Sequence, residues 1–426
     1  MTTTKNNIPV GYKDSAVGII PQEWNVRIFH EIGSLLGTNT LSRDKMNECS
    51  GCAQNIHYGD LLVKYGEILD CSSVNIPWVN SDCRDANLGT NLQNGDVVIS
   101  DTAEDHTVGK ATEVQGVGTK IVLSGLHTIA LRPNASTFAP NFLGYYFNSS
   151  IYRSQFYPLI QGIKVCSISK KAISNTKLAI PSIAEQRKIA EILGVWDEAI
   201  EKQNLLIEKL ELRKRGLMQR LLTGKTRLPG FTEPWQKVKF KQIFEKKNIT
   251  FEESNTTLEI LSVTKEGVMS QKEYFSKDIA SEDISKYKLV ERGDLAMSGL
   301  NFWMGSCHIL TEYDRGLISP AYKVFCVNYN YNLPFIIHFV RGHAFKYSLI
   351  GCSVVGASIV RRNLDKEMLN EWIYLIPSLS EQKAIAEVLN TADKEIAIHS
   401  KTLDALRLQK RALMQQLLTG KTRVKI

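Results

Sequence analysis

The residues with the strongest outward look of chemistry are a Gly-Lys-Thr triplet that occurs twice, at 224–226 and at 420–422. A phosphate-cradling loop of that type needs an earlier glycine and a buried strand leading into it. Gln219 and Gln415 stand where that glycine would be, and the residues before them carry a helical pattern. Each triplet therefore reads as a helix-ending glycine followed by a basic exit; intrinsic ATP turnover by the pure protein would revive the nucleotide reading. Cys49-Ser50-Gly51-Cys52 has metal-like or redox-like spacing. A zinc site would need a second pair, and Cys71 and Cys83 are too far apart to supply it. Asp101, Glu104, Asp105 and His106 crowd one loop and could hold a cation, but an exposed acidic turn is the simpler reading. Gly116-Val117-Gly118 lacks the third glycine of a dinucleotide fingerprint and reads as a hairpin turn. His57, His127, His308 and His343 have no evident nucleophile or ligand partner, and no Asn-Pro-Pro or Asp-Pro-Pro followed by an aromatic residue exists for amino methylation. No residue set reads as catalytic or metal-binding, and no cofactor is expected on this chain.

Charge then says what such a chain touches. The net charge of +8 over 426 residues is mild, but its placement is uneven. Residues 1–105 carry 7 basic and 14 acidic groups, whereas 106–179 carry 8 and 1. Residues 315–375 carry 7 and 3. A basic surface confined to the second half of a segment is what a phosphate-facing side would look like. No run of about 18 apolar residues could span a membrane. The start, MTTTKNNIPVGYKDS, lacks the basic-then-apolar pattern of a leader, so a cytoplasmic protein with reduced cysteines is expected.

An internal repeat supplies the framework for that surface. Residues 180–227 align without gaps on 376–423 at an offset of 196, with 25 of 48 positions identical. Ser182-x-x-Glu185 and Ser378-x-x-Glu381 read as capping boxes after a proline, and Thr223-Gly224 and Thr419-Gly420 as matching stops. Between them runs a heptad seam: Ile189, Leu193, Trp196, Ile200, Gln203, Ile207, Leu210, Lys214, Leu217 and Leu221. The second copy gives Ile385, Leu389, Ala392, Ile396, His399, Leu403, Leu406, Lys410, Leu413 and Leu417. That pattern predicts two long helices in a coiled coil, in which the seam lysines could fix register or direction. An antiparallel pair within the chain is favoured, because it keeps the two preceding segments from crowding together; pairing between chains is the alternative.

The segments before each helix echo one another sparsely. Ile20–Trp24 resembles Phe231–Trp235, Asn94–Ser100 resembles Arg292–Ser298, and Gln161–Lys164 resembles Val355–Ser358. Leu61–Tyr65, Asp96–Ser100, Lys120–Leu123, His127–Leu131 and Tyr322–Val327 read as short strands; Asn141–Phe147 and Pro334–Val340 read as short buried helices. The fold class expected is α+β: two mixed α/β domains rich in antiparallel strands, separated by two long helices forming an antiparallel coiled coil. The boundaries are 1–179, 180–227, 228–375 and 376–426.

The duplicated Ile-Pro-Ser-x-x-Glu-Gln helices, each following a variable segment and each ending Leu-Met-Gln-x-Leu-Leu-Thr-Gly-Lys-Thr-Arg, resemble the specificity subunit of type I restriction–modification systems. The resemblance spans the chain. It implies that each variable segment is a target recognition domain reading one half of a bipartite double-stranded DNA site. It implies that the helices set the spacing and dock two modification (methyltransferase) subunits, with restriction (translocase/nuclease) subunits joining through them. S-adenosylmethionine, ATP and Mg2+ would then sit on the partners, and this chain would be non-catalytic. A coiled-coil scaffold with no DNA role is the rival, separated by whether loss of the chain abolishes adenine methylation.

Under that reading, the DNA-contact candidates are the basic residues of the two charged halves: Lys110, Lys120, Lys164, Lys170 and Lys171, then Lys323, Arg341, Lys346, Arg361 and Arg362. Gly162 and Gly356 would let a loop approach the backbone. Partner contacts are expected on outward faces of the early helical turns, at Glu185, Gln186, Glu191, Glu381, Gln382 and Glu387.

Overall fold

A computed structural model describes residues 8–83, 88–162, 164–250, 258–274, 284, 286–355 and 362–426. The chain packs into two compact units. The first comprises residues 1–203 and 402–426, the second residues 204–401. The two long helices, Ile183–Leu221 and Leu379–Leu418, therefore each give one half to each unit.

In the first unit a five-stranded sheet has the order Gly33–Leu36, Thr128–Pro133, Val97–Ser100, Ala111–Gln115, Ile68–Asp70. Its pairings are antiparallel except the last. A four-stranded sheet joins Val122–Ser124, Gln54–Ile56, Trp78–Val79 and Met46–Asn47. The apolar face of the larger sheet, with Val97 and Ile99, is covered by the helix Phe142–Asn148, which buries six of its seven residues. The second unit holds two four-stranded sheets. One has the order Phe244–Lys247, Lys323–Val327, Leu295–Met297, Cys307–Ile309, and the other Val268–Ser270, Ile260–Val263, Arg315–Ile318, Lys288–Glu291. The helix Leu333–Arg341 buries Phe335, Ile336 and Phe339 in the core beside the first of these.

Both units close on themselves with the same device. Asn25–Ile28 pairs antiparallel with Lys177–Ile180, and Gln236–Lys239 pairs antiparallel with Ile373–Ile376. The second strand of each pair runs into Pro181 or Pro377 and so into a long helix.

The expected seam is present. No seam position of either helix is exposed, and Ile189, Leu193, Ile385, Leu389, Leu417 and Leu221 are almost fully buried. Within the first unit, Ile189 and Leu193 share a core with Met414, Leu417 and Leu418. Within the second, Leu221 and Leu222 share one with Ile385, Ala386 and Leu389. Ion pairs give the direction. Glu185 meets Arg423 and Asp197 meets Lys410 in the first unit; Lys214 meets Asp393 and Arg227 meets Glu381 in the second. As one helix advances, its partner recedes, so the pairing in each unit is antiparallel.

The stops also form as the sequence implies. Gly224 and Gly420 both adopt φ of +70°, and Thr223 and Thr419 back-bond to the carbonyls of Gln219 and Gln415. An added Cβ at Gly420 would lie 2.4 Å from the Pro21 ring, so glycine is required there for space as well as for φ. The Gly-Lys-Thr triplets are thus helix exits.

Three local expectations are corrected. Leu61–Tyr65 is no strand: the helix Tyr58–Val63 covers most of it, started by His57, whose Nδ1 accepts the Gly59 N–H. That cap, and the burial of Leu61 on one helical face, outweigh the β-type composition. Gly116-Val117-Gly118 makes no hairpin, because Ala111–Gln115 and Val122–Ser124 belong to different sheets. The capping boxes are half formed. Ser182 and Ser378 accept the N–H of Glu185 and Glu381, but neither glutamate reaches back.

Candidate nucleic-acid interface

The two missing halves of the capping boxes define how each variable segment is fixed to its helix. In the first unit the carboxylate of Glu185 accepts from Trp24 Nε1 at 3.0 Å and from Arg423 Nε at 2.8 Å. In the second, Glu381 accepts from Trp235 Nε1 at 3.1 Å and from Arg227 Nε at 2.6 Å. The neighbouring glutamines repeat the pattern. Gln186 Oε1 accepts the Ala139 N–H while its amide donates to the Pro181 carbonyl. Gln382 Oε1 accepts the Asn332 N–H while its amide donates to the Pro377 carbonyl. The indole entry of each segment, the first turn of one helix and the arginine after the other are therefore pinned at one carboxylate.

This corrects the expected partner surface. Glu185, Gln186, Glu381 and Gln382 are at most 2% exposed and are used inside the fold. The reason is geometric: helical side chains tilt toward the N-terminus, so first-turn residues aim at the preceding strand pair and away from solvent. Of the six expected residues, only Glu191 and Glu387 are exposed.

The candidate DNA-contact residues divide into anchored and exposed sets. Lys110 donates to the Leu62 carbonyl and Lys120 to that of Cys71, so both ammoniums are tied to their own unit. Burial holds Lys110 below the usual lysine range. Lys164, Lys170 and Lys171 are exposed, the last two in a short helix that Ser169 caps. Gly162 has φ of +97°, and a Cβ there would lie 2.0 Å from the Val165 carbonyl, so the tight turn and not an approaching ligand explains it. In the second unit Arg341 is half-buried and Lys346 exposed. The Arg362 guanidinium lies over the Trp303 ring, 4.2 Å from its centroid, and donates to Ser353 Oγ. Arg361 and Gly356 lie outside the described residues.

Lys323 stands apart, since it lines a cleft with four lysines that sequence reasoning did not single out: Lys246, Lys247, Lys288 and Lys366. They are scattered over 120 positions and come together only through two sheets and a helix start, so no linear signal marks them. Among the described residues no group of three or more His, Cys, Asp or Glu side chains could hold a metal ion. No helix among them is long and apolar enough to cross a membrane.

Comparison with known proteins bears on whether the chain is a DNA reader or a bare scaffold. The family model for the type I restriction modification DNA specificity domain matches residues 70–212. The putative type I restriction enzyme MjaX specificity subunit of Methanocaldococcus jannaschii is 24% identical over 446 residues, covering 97% of both chains. Over nearly its whole length the chain is similar to a type I restriction enzyme specificity subunit, and within it residues 70–212 match the DNA specificity domain. The MjaVIII specificity subunit of the same organism is 26% identical over 287 residues, covering 62% of this chain and 66% of the relative. A chain solved in a structure of type I R-M complex assembly and conformational transition has the same fold, with a TM-score of 0.59. It is 14% identical and covers 95% of this chain and 99% of its own length. The matched domain is a DNA specificity domain, which favours DNA recognition over a bare scaffold. The duplicated indole–carboxylate–arginine fixation attaches each variable segment to its helices.

Proposed function

We propose that this chain is the specificity subunit of a type I restriction–modification system, that each unit reads one half of a bipartite DNA sequence and that the long helices set the gap between the halves. The observation that carries this reading is the duplicated fixation. Two segments with diverged interiors enter identical mounts at Glu185 and Glu381, as expected for two readers of different sequence on one frame. Two readers on a helical spacer favour half-sites about one DNA turn, ~34 Å, apart or a multiple of it.

Two methyltransferase subunits dock on the outer faces of the helices. Val195, Leu212 and Leu408, each more than 60% exposed on the long helices, are the apolar contacts assigned to that docking. Glu191 lies one helical turn before Val195. S-adenosylmethionine belongs to those subunits, ATP and Mg2+ to restriction subunits, and this chain contributes recognition without catalysis. The basic groups of each unit position phosphates, while a few side chains read base edges.

Mapping methylated adenines across a genome with and without this chain tests the reading. One bipartite motif should lose methylation when the chain is deleted, and methylation unchanged at every motif would refute the proposal. Adding matched heptads to both helices should widen the gap and preserve both half-motifs.

A further inference from the structure

The lysine cleft of the second unit brings five ammonium groups together on its lining: Lys246, Lys247, Lys288, Lys323 and Lys366. It measures about 250 Å³. Lys246 and Lys247 end the strand Phe244–Lys247, Lys323 opens its neighbour, Lys288 opens a strand of the other sheet, and Lys366 is the first residue of the helix Lys366–Glu371. Lys247 is neutralised: its Nζ lies 2.6 Å from Glu291 and 2.7 Å from Asp294. The other four have no ion-pair partner among the described residues.

Two of those four are held in place. Lys288 Nζ donates to the carbonyls of Pro320, at 2.9 Å, and Tyr322, at 2.6 Å. Lys323 Nζ lies 5.8 Å from the centroid of the Phe302 ring. Burial lowers the affinity of both for a proton, and neighbouring ammoniums lower it further: Lys246 and Lys366 act on Lys288, and Lys366 and Lys288 act on Lys323. Lys246 and Lys366 are exposed at the rim. Folding thus brings like charges together at a cost, with two half-buried donors held in place and two exposed ones beside them. That arrangement suits an anion with several acceptor oxygens.

We propose that this cleft seats a phosphate of the DNA backbone, as a sequence-independent anchor that registers the second recognition unit on the duplex. The proposal rests on the DNA-recognition reading above. Lysine presents a compact point charge without arginine's planar fork, and a cluster of such charges is suited to positioning a phosphate. Its open, lysine-rimmed mouth suits a strand passing across it.

The test uses the full chain and labelled duplexes of several unrelated sequences, titrated from 20 to 200 mM salt. Lys246→Gln with Lys366→Gln removes only rim charges, which spares the anchored core of the cleft; Lys202→Gln with Lys209→Gln on the first long helix serves as control. Each seated phosphate contributes a slope of about −0.9 to log K against log salt. The rim variant should lose about one unit of slope on every sequence alike, with the control unchanged. Wild-type binding with an identical slope in the rim variant overturns the cleft and leaves the DNA reading standing. Failure of the wild type to bind any duplex overturns the DNA reading and the proposal with it. Phosphorus NMR of added orthophosphate separates the sources: broadening that the rim variant abolishes, beside an unaltered DNA slope, would assign the cleft to free phosphate and also overturn the proposal.

Discussion

Lys410, a seam residue of the second long helix, places its Nζ 2.5 Å from a carboxylate oxygen of Asp197 on the first. The repeat-equivalent pair, Lys214 and Asp393, makes the same bridge in the other unit. The heptad pattern breaks at these lysines because each faces an aspartate that the duplication retained. A polar pair in an apolar seam lowers stability against an apolar one but penalises every other register and the parallel direction. Lys410 also bonds Glu67 at 2.9 Å, which ties the seam to the recognition segment. Burial draws its proton affinity down, but the charges of Glu67 and Asp197 more than restore it.

Lys410→Met should therefore destabilise the protein by about 2 kcal/mol, since it leaves two carboxylates facing each other without a cation. Lys410→Met with Asp197→Leu should recover much of that loss. Urea denaturation of the four proteins in a double-mutant cycle measures the coupling; additive effects would show that the bridge does not act as a unit.

Arg423→Ala removes the cation from Glu185, a carboxylate almost wholly buried. A loss of about 3 kcal/mol is expected, confined to the first unit. Hydrogen exchange should accelerate over residues 24–28 and 177–186 and stay at wild-type protection over 236–239 and 373–382. Arg227→Ala should give the reverse pattern. Uniform acceleration in both units would contradict two separate mounts.

The buried carboxyl of Glu113 gives unit one a pH dependence. Burial raises its pKa to about 7 from the ordinary 4.5, only partly offset by donation from the N–H groups of Gly144 and Asn141 and from Gln115. A raised folded-state pKa adds stability that is fully present below about 4.5 and is lost as pH rises through about 7. The shift corresponds to about 3 kcal/mol. The melting temperature should fall between pH 5 and pH 8 in the wild type. In Glu113→Gln the fall should be smaller, whatever its absolute stability; equal slopes for the two proteins would refute the assignment.

Val195→Glu with Leu408→Glu changes two exposed positions of the first unit, so the melting temperature of the isolated chain should move little. Co-purification with the methyltransferase subunits should drop at least tenfold. Full retention of the partners would place the docking surface elsewhere.

The repeat, the seam, the helix stops and the strand at Val97–Ser100 were legible in the sequence because each rests on a local pattern: period 3.5, a short β-type run bounded by turn residues, or a glycine with positive φ. The helix at Tyr58–Val63 was not, because its β-type residues are overruled by a histidine cap and by what Leu61 buries against. Glu185 and Glu381 were misjudged for a related reason. Identity between the copies suggested a surface kept for a partner, yet both residues serve a tryptophan 161 or 146 positions earlier and an arginine that follows the other helix.

The duplicated architecture was already written in the linear pattern, since periodicity and motif spacing are properties of that pattern. Tertiary structure alone decided which charges meet. The seam lysines acquire their aspartates, the capping glutamates their arginines, and Lys246, Lys288, Lys323 and Lys366 one another only when distant strands are brought into register. Coulomb energy depends on separation in space, and separation along the chain does not report it.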